Sequence, residues 1–242
     1  MSLPPELAGH QDRLRWNARY QGHTGDGTSA PFRPHPLAAR ALSLPGAAPG
    51  GPLPGGPLPG AAPGGPLPGG PLPGGPLPGG PLPDGPVLDL ACGPSGSALA
   101  AASAGRAVTA VDISEVALGL LEREARRRGV SDLITLVPAD LRAWRPQPLR
   151  YALVLCTGYW DRQLFGPAAE AVAAHGLLGW EAFTTETRRS RPSRPAQWCL
   201  EPGEPASLLP PGFTVIEQRD LGGGDSAEGP SWSKRRLLAR RG

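Results

Sequence analysis

From residue 87 onward, short apolar runs alternate with longer amphipathic stretches. The runs at 87–91, 107–112, 133–137, 151–157 and 177–184 are rich in Val, Leu, Ile and Ala. Continuous runs of this length predict strands. The intervening stretches predict helices over 96–104, 114–129 and about 161–174. Ser114 stands where an N-cap belongs, Gly129 where a helix stops, and Arg126-Arg127-Arg128 suits the negative end of a helix dipole. Upstream, Asp12 to Tyr20 has helical character and His35 to Leu42 forms another short helix. Downstream lie a short helix near 203–209 and strands at 213–219 and 232–240. These last two have no helix between them, so they are expected to pair antiparallel through a Gly222-Gly223-Gly224 loop. Strands alternating with helices imply a parallel sheet with helices on both faces. The expected architecture is α/β: a three-layer sandwich around a seven-stranded, mostly parallel sheet with an antiparallel C-terminal hairpin.

One segment breaks the alternation. The chain holds 35 glycines and 33 prolines, and 31 of these lie between Pro45 and Pro86. There Pro-Leu-Pro recurs six times, ending at 81–83. Proline fixes φ and glycine frees it, so the repeat builds neither helix nor ladder. One Leu per five residues buries too little surface to offset ordering entropy. The chain thus divides into an N-terminal helical part (1–44) expected to cover the ligand site, a disordered, passive Pro/Gly-rich insertion (45–86) and an α/β domain (87–242).

Charge and cysteine content exclude several classes. The net charge is only +3, and the basic residues of the tail come without an aromatic platform, so nucleic acid is not the expected partner. No run approaches the ~20 apolar residues that span a bilayer, and the N-terminus lacks an apolar signal core. Three widely spaced cysteines suit a reducing, cytoplasmic setting. Four scattered histidines offer no metal cluster, and no metal ligand is assigned.

The chemistry concentrates in Val87-Leu88-Asp89-Leu90-Ala91-Cys92-Gly93-Pro94-Ser95-Gly96 and, farther on, Val111-Asp112-Ile113-Ser114. An apolar run ends in an acid and a glycine turn, a helix follows, and a second apolar run delivers another acid. That is a Rossmann-like β-turn-α-β nucleotide unit, with Asp112 placed to accept hydrogen bonds from a ribose diol. The third glycine of a dinucleotide fingerprint is missing, which disfavours a nicotinamide-dependent oxidoreductase. An acid in the first turn repels pyrophosphate and suits a cationic ligand; S-adenosylmethionine, with its sulfonium and ammonium groups, fits.

These residues resemble the class I S-adenosylmethionine-dependent methyltransferases, and among them the small bacterial enzymes related to the tellurite-resistance and thiopurine methyltransferase groups. The likeness rests on D-L-A-C-G at 89–93, V-D-I-S at 111–114, A-D-L at 139–141 and R-W-N-A-R-Y at 15–20. It implies that Asp89, Ala91 and Gly93 hold the methionine moiety and that Asp112 binds the ribose. It further implies that Ile113 packs on the adenine and that Asp140, beside Leu141, reaches the adenine amino group. Cys156 would border the sulfonium, while Trp16, Arg19 and Tyr20 cover the site and Arg19 meets the cofactor carboxylate. Two positions depart from the family pattern: Ser95 replaces the second glycine of the turn, and His175-Gly176 replaces a Pro-Gly-Gly expected as a surface turn before strand five.

The implied activity is methyl transfer to a small-molecule acceptor by in-line displacement. Strand four ends Cys-Thr-Gly-Tyr, unlike the Asn/Asp-Pro-Pro-Tyr of nucleobase-type amino methylases. Arg188, Arg189, Arg191 and Arg194 follow strand five, on the sheet edge where such folds bind ligands, and suit an anionic acceptor. Trp144, Trp180 and Trp198 are candidates to line its pocket. His23, His35, Tyr159 and Asp161 are the candidate general bases, and none has a visible partner, so no catalytic residue is assigned. The competing reading is a cofactor-binding, non-catalytic partner protein that docks through the Pro-rich segment.

Overall fold

The computed structural model describes residues 3–22, 32–42, 80–226 and 229–242. Five parallel strands form its centre: β1 (Val87–Leu90), β2 (Val108–Asp112), β3 (Ile134–Pro138), β4 (Tyr151–Thr157) and β5 (Val172–Phe183). Two long strands, β6 (Phe213–Ser226) and β7 (Gly229–Arg241), extend the sheet. The order is β3-β2-β1-β4-β5-β7-β6, with β7 antiparallel to both neighbours. Successive connections leave β1 in opposite directions, so a crevice opens at the carboxyl ends of β1 and β4.

The described residues form six α-helices: α1 (Gln11–Gly22), α2 (Pro36–Ala41), α3 (Gly96–Ser103), α4 (Glu115–Arg127), α5 (Arg162–Glu170) and α6 (Thr187–Ser190). On one face Leu37, Leu99 and Leu121 pack against Leu153, Leu155 and Leu238. On the other, Leu164, Phe165 and Ala168 of α5 pack against Leu88, Val154 and Trp180. Two separate cores on one sheet make the three layers expected. None of the described helices is long and apolar enough to cross a membrane.

The N-terminal helices go to different places. α2 is core, with Leu37, Ala38 and Ala41 fully buried. His35 caps it, its Nδ1 accepting from the Leu37 N–H at 3.2 Å. The backbone just before α2 crosses the start of α3 so closely that a Cβ on Gly96 would lie 2.2 Å from the Arg33 carbonyl oxygen. α1 lies instead against α4, at the sheet's carboxyl edge.

Three sequence expectations need correction. The helix expected to reach 174 ends at Glu170, because the Ala171 carbonyl accepts from the N–H groups of Arg150 and Tyr151 and Val172 already pairs with Tyr151. Residues 171–174 are thereby drawn toward the start of β4, and β5 begins five residues early. His175-Gly176 is consequently no surface turn. It lies within β5 at a register irregularity, with His175 at φ +62° and its carbonyl accepting from Arg240 at 2.6 Å. Gly222-Gly223-Gly224 is strand, not loop, and Gly223 pairs with Trp232. A Cβ there would meet the Trp232 ring at 2.7 Å, so glycine lets the indole lie on the strand's backbone.

The disorder expected for the Pro/Gly repeat falls mostly outside the described residues. Its final copy is held, however: Arg240 donates to the Gly80 carbonyl at 2.6 Å and Arg106 to the Pro83 carbonyl at 2.8 Å. Leu82 packs against the α2–α3 core.

Candidate functional site

The site is built on the turn after β1. Ala91 sits at φ +49° and Gly93 at φ +57°, a conformation that costs energy for alanine. It is held by two bonds from β2: the Cys92 N–H donates to the Val111 carbonyl at 3.1 Å, and the Gly93 N–H donates to Asp112 Oδ2 at 2.8 Å. The other Asp112 oxygen accepts from the Ser114 N–H at 2.8 Å, and Ser114 caps α4. One buried acid therefore fixes two adjacent turns. Burial raises the Asp112 carboxyl above its ordinary value, and the N–H groups of Ser114 and Gly93 oppose that rise. Each carboxylate oxygen has a second lone pair, which leaves acceptor capacity for a ligand.

Asp89 lies beneath this turn. Its carboxylate accepts the Ser95 hydroxyl at 2.5 Å, while Ser95 caps α3 by accepting from the Ala98 N–H at 2.9 Å. Burial pushes Asp89 up to about 7; the Ser95 bond works against this and nearby Asp112 adds to it. The serine in place of the usual second glycine is thus the partner of the buried acid. Glycine stands one place later, at Gly96, where Arg33 needs the room.

α1 closes the upper side. Arg13 forms an ion pair with Glu115, and Asn17 donates to Glu115 at 2.9 Å while accepting the Ser114 hydroxyl at 2.6 Å. Glu115 is held below the ordinary carboxylate range: burial raises it, but the bonds from Arg13 and Asn17 outweigh that. These contacts dock α1 on the same turn that Asp112 fixes. They bring Tyr20 over Gly93, where an added Cβ would lie 2.8 Å from the tyrosine hydroxyl. Farther out, the Arg15 guanidinium stands 5.5 Å from the Trp16 ring centre and 5.1 Å from that of Trp198.

Between α1 and the sheet edge runs a cleft of about 1070 Å³. Of the residues assigned from sequence, Arg19, Ala91, Asp112, Ile113, Asp140 and Leu141 line it. Asp89, Gly93 and Cys156 do not; they lie behind the lining, where Asp89 and Gly93 shape the turn. Cys156 is buried, directs its thiol toward the Tyr159 carbonyl at 3.5 Å, and is pushed up by burial. Asp140 faces His10 Nε2 at 3.3 Å. Of the tryptophan candidates, Trp198 lines the cleft, whereas Trp180 is fully buried and Trp144 packs at the edge of the core. Trp16 and Trp160 also line it, the latter unassigned from sequence. Of the loop arginines, Arg191 and Arg194 reach the cleft; Arg188 and Arg189 are exposed on α6.

The candidate bases separate as well. His23 lies outside the described residues. His35 is engaged with α2 and with Glu181 at 3.2 Å. Asp161 caps α5, accepting from the Gln163 N–H at 2.8 Å. Tyr159 lines the cleft, but burial, with Asp161 nearby, raises its hydroxyl. Sequence reasoning missed Lys234, which lines the far wall; its position seventy-six residues after Gly158 gave no local signal.

Residues 87–175 match the family model described as a methyltransferase domain. That stretch holds β1 to β4, the turn after β1 and Asp112. Solved structures of similar fold include geranyl diphosphate C-methyltransferase from Streptomyces coelicolor A3(2), in complex with Mg2+, geranyl diphosphate and S-adenosyl-L-homocysteine. It is 14% identical, with a TM-score of 0.50 over 66% of this chain and 74% of that one. TehB from Haemophilus influenzae is 16% identical, with a TM-score of 0.50 over 64% of this chain and 57% of its own. The cyclase SpnF is similar too, 16% identical with a TM-score of 0.50 over 65% and 75%. No curated protein matches the chain.

Proposed function

We propose that this protein transfers the methyl group of S-adenosylmethionine to a small-molecule acceptor in the cytosol by in-line displacement. The observation that carries this reading is the Asp112 carboxylate, fixed by the Gly93 and Ser114 N–H groups at the floor of the cleft. The residues present fit the cofactor. Asp112 takes the ribose hydroxyls, Ile113 and Leu141 flank the adenine, and Asp140 faces its amino group. The Ala91–Gly93 backbone, stiffened from below by Asp89 and Ser95, receives the methionine end, with Arg19 toward its carboxylate and Cys156 behind the sulfonium.

Bound there, the cofactor supplies a methyl group already activated by its sulfonium. The protein's share is alignment and exclusion of water, which α1 performs by closing over the turn. Tyr159 keeps its proton and Asp161 is engaged as a helix cap, so neither serves as a strong base. The acceptor therefore brings its own available lone pair.

Calorimetric titration of S-adenosylmethionine and its demethylated product into wild type and Asp112→Ala tests the reading. Wild type is expected to bind both in the micromolar range, and the variant to bind ~10–100-fold more weakly, the range for lost hydrogen bonds to a charged group. A wild type that binds neither sinks the proposal. Binding without transfer to any thiol, oxyanion or phenol in a panel points instead to the non-catalytic partner.

A further inference from the structure

Charge is unevenly balanced along the cleft. Asp12, Asp112 and Asp140 line it toward β2 and β3, where Arg142 pairs with Asp12 at 3.3 Å, whereas Arg191, Arg194 and Lys234 line it beyond β5. At this second end Phe183 is a shared platform: the Arg194 guanidinium stands 3.9 Å from its ring centre and the Lys234 ammonium 5.1 Å. An aromatic face holds cations in place without neutralising them. Among the described residues no carboxylate lies within ion-pair distance of Arg191 or Arg194, and Arg194 Nε is buried with no hydrogen-bond partner. Burial and the adjacent charges of Arg191 and Arg15 all disfavour the charged form of Arg194.

Lys234 does have a partner, but a shared one. Its ammonium lies 3.0 Å from Glu181, whose other oxygen already accepts two bonds from Arg236, at 2.9 and 2.7 Å. One buried carboxylate thus faces two full cations, and the wall keeps a positive surplus. Crowded, partly desolvated cations with open donors are costly unless an anion joins them. We propose that Arg194 and Lys234, mounted on Phe183, together with the exposed Arg191 beside them, form an anion subsite that receives an acid group of the methyl acceptor. The acceptor is then an organic carboxylate or phosphate monoester, and the guanidinium fork suits either. Glu181 is a positioning residue, holding Lys234 at the wall. This assignment rests on the methyltransferase reading for the word acceptor, but the subsite itself is tested by binding alone.

The experiment compares benzoate, phenyl phosphate and the neutral benzamide, titrated at low ionic strength into wild type, Arg194→Gln, Arg191→Gln and Arg189→Gln. Thermal melts of each variant check its fold. Wild type should prefer at least one anion over benzamide by about tenfold, and the preferred anion shows which acid group the site takes. Arg194→Gln and Arg191→Gln should each lose most of that preference, while Arg189→Gln, exposed and outside the cleft, should keep it. S-adenosylmethionine affinity should be unchanged in Arg194→Gln. Equal binding of benzamide, absence of anion binding, or equal weakening by Arg189→Gln overturns the subsite. Failure of wild type to bind S-adenosylmethionine overturns the functional reading and leaves the subsite result standing.

Discussion

Ser95 and Gly96 carry different duties at the start of α3. Ser95 bonds Asp89 and caps α3; Gly96 makes room for the Arg33 backbone. Burial pushes Asp89 up to about 7, against an ordinary 3.8. The folded state therefore holds its proton more tightly than the unfolded state, and stability falls as pH rises from about 4 to about 7. Asp89→Asn removes that dependence: thermal melts should show it equal to wild type at pH 4 and more stable at pH 8, by about 4 kcal/mol. Gly96→Ala should cost ~3 kcal/mol in denaturant unfolding, because the obstructing atoms are backbone and do not rotate away. The acid and the turn were legible in the sequence, since strand, acid and glycine are local and fixed in spacing. The pairing of Ser95 with Asp89 was not, because it depends on how far the acid sinks below the turn.

At the level of elements, α1 is a cover whose docking is polar. Asn17 is buried and bonds both Ser114 and Glu115 across the junction with α4. Asn17→Ala leaves those two groups short of a partner and should weaken docking by about 1–2 kcal/mol. Hydrogen exchange should speed up across 11–22 while the central strands keep their protection. The alternation of apolar runs located all seven strands, and most closely β1, β2 and β4, whose nearly complete burial leaves continuous hydrophobic sequence. It failed where pairing overrides propensity. Ala171-Val172-Ala173-Ala174 is good helix sequence, yet Tyr151 recruits Val172 into the ladder, and the glycines of β6 pair because Trp232 covers them.

For the whole molecule, Glu181 is the tie between distant parts of the chain. It joins β5 to β7 through Arg236 and Lys234, and to the start of α2 through His35. Those partners hold its carboxyl well below the ordinary value of 4.5, although burial alone would raise it. Its contribution is complete above that ordinary value and fades as pH falls below it. Glu181→Gln leaves Arg236 buried without its counter-charge and should lose about 3 kcal/mol at neutral pH. The deficit relative to wild type should narrow in melts taken below pH 4. No sequence pattern announces this cluster, because its members are spread from 35 to 236 and meet only when the hairpin closes on β5.

The burial of α2 has a consequence for how the chain holds together. Leu37, Ala38 and Ala41 are fully enclosed, Arg33 is laid over Gly96, and Arg13 grips Glu115. Toward the α/β domain, the residues up to Leu42 behave as an inhibitor behaves toward its protease: a tightly held ligand that happens to share a covalent thread. A single proteolytic cut anywhere in 43–79 should therefore yield two fragments that travel together through a native gel and part only in denaturant.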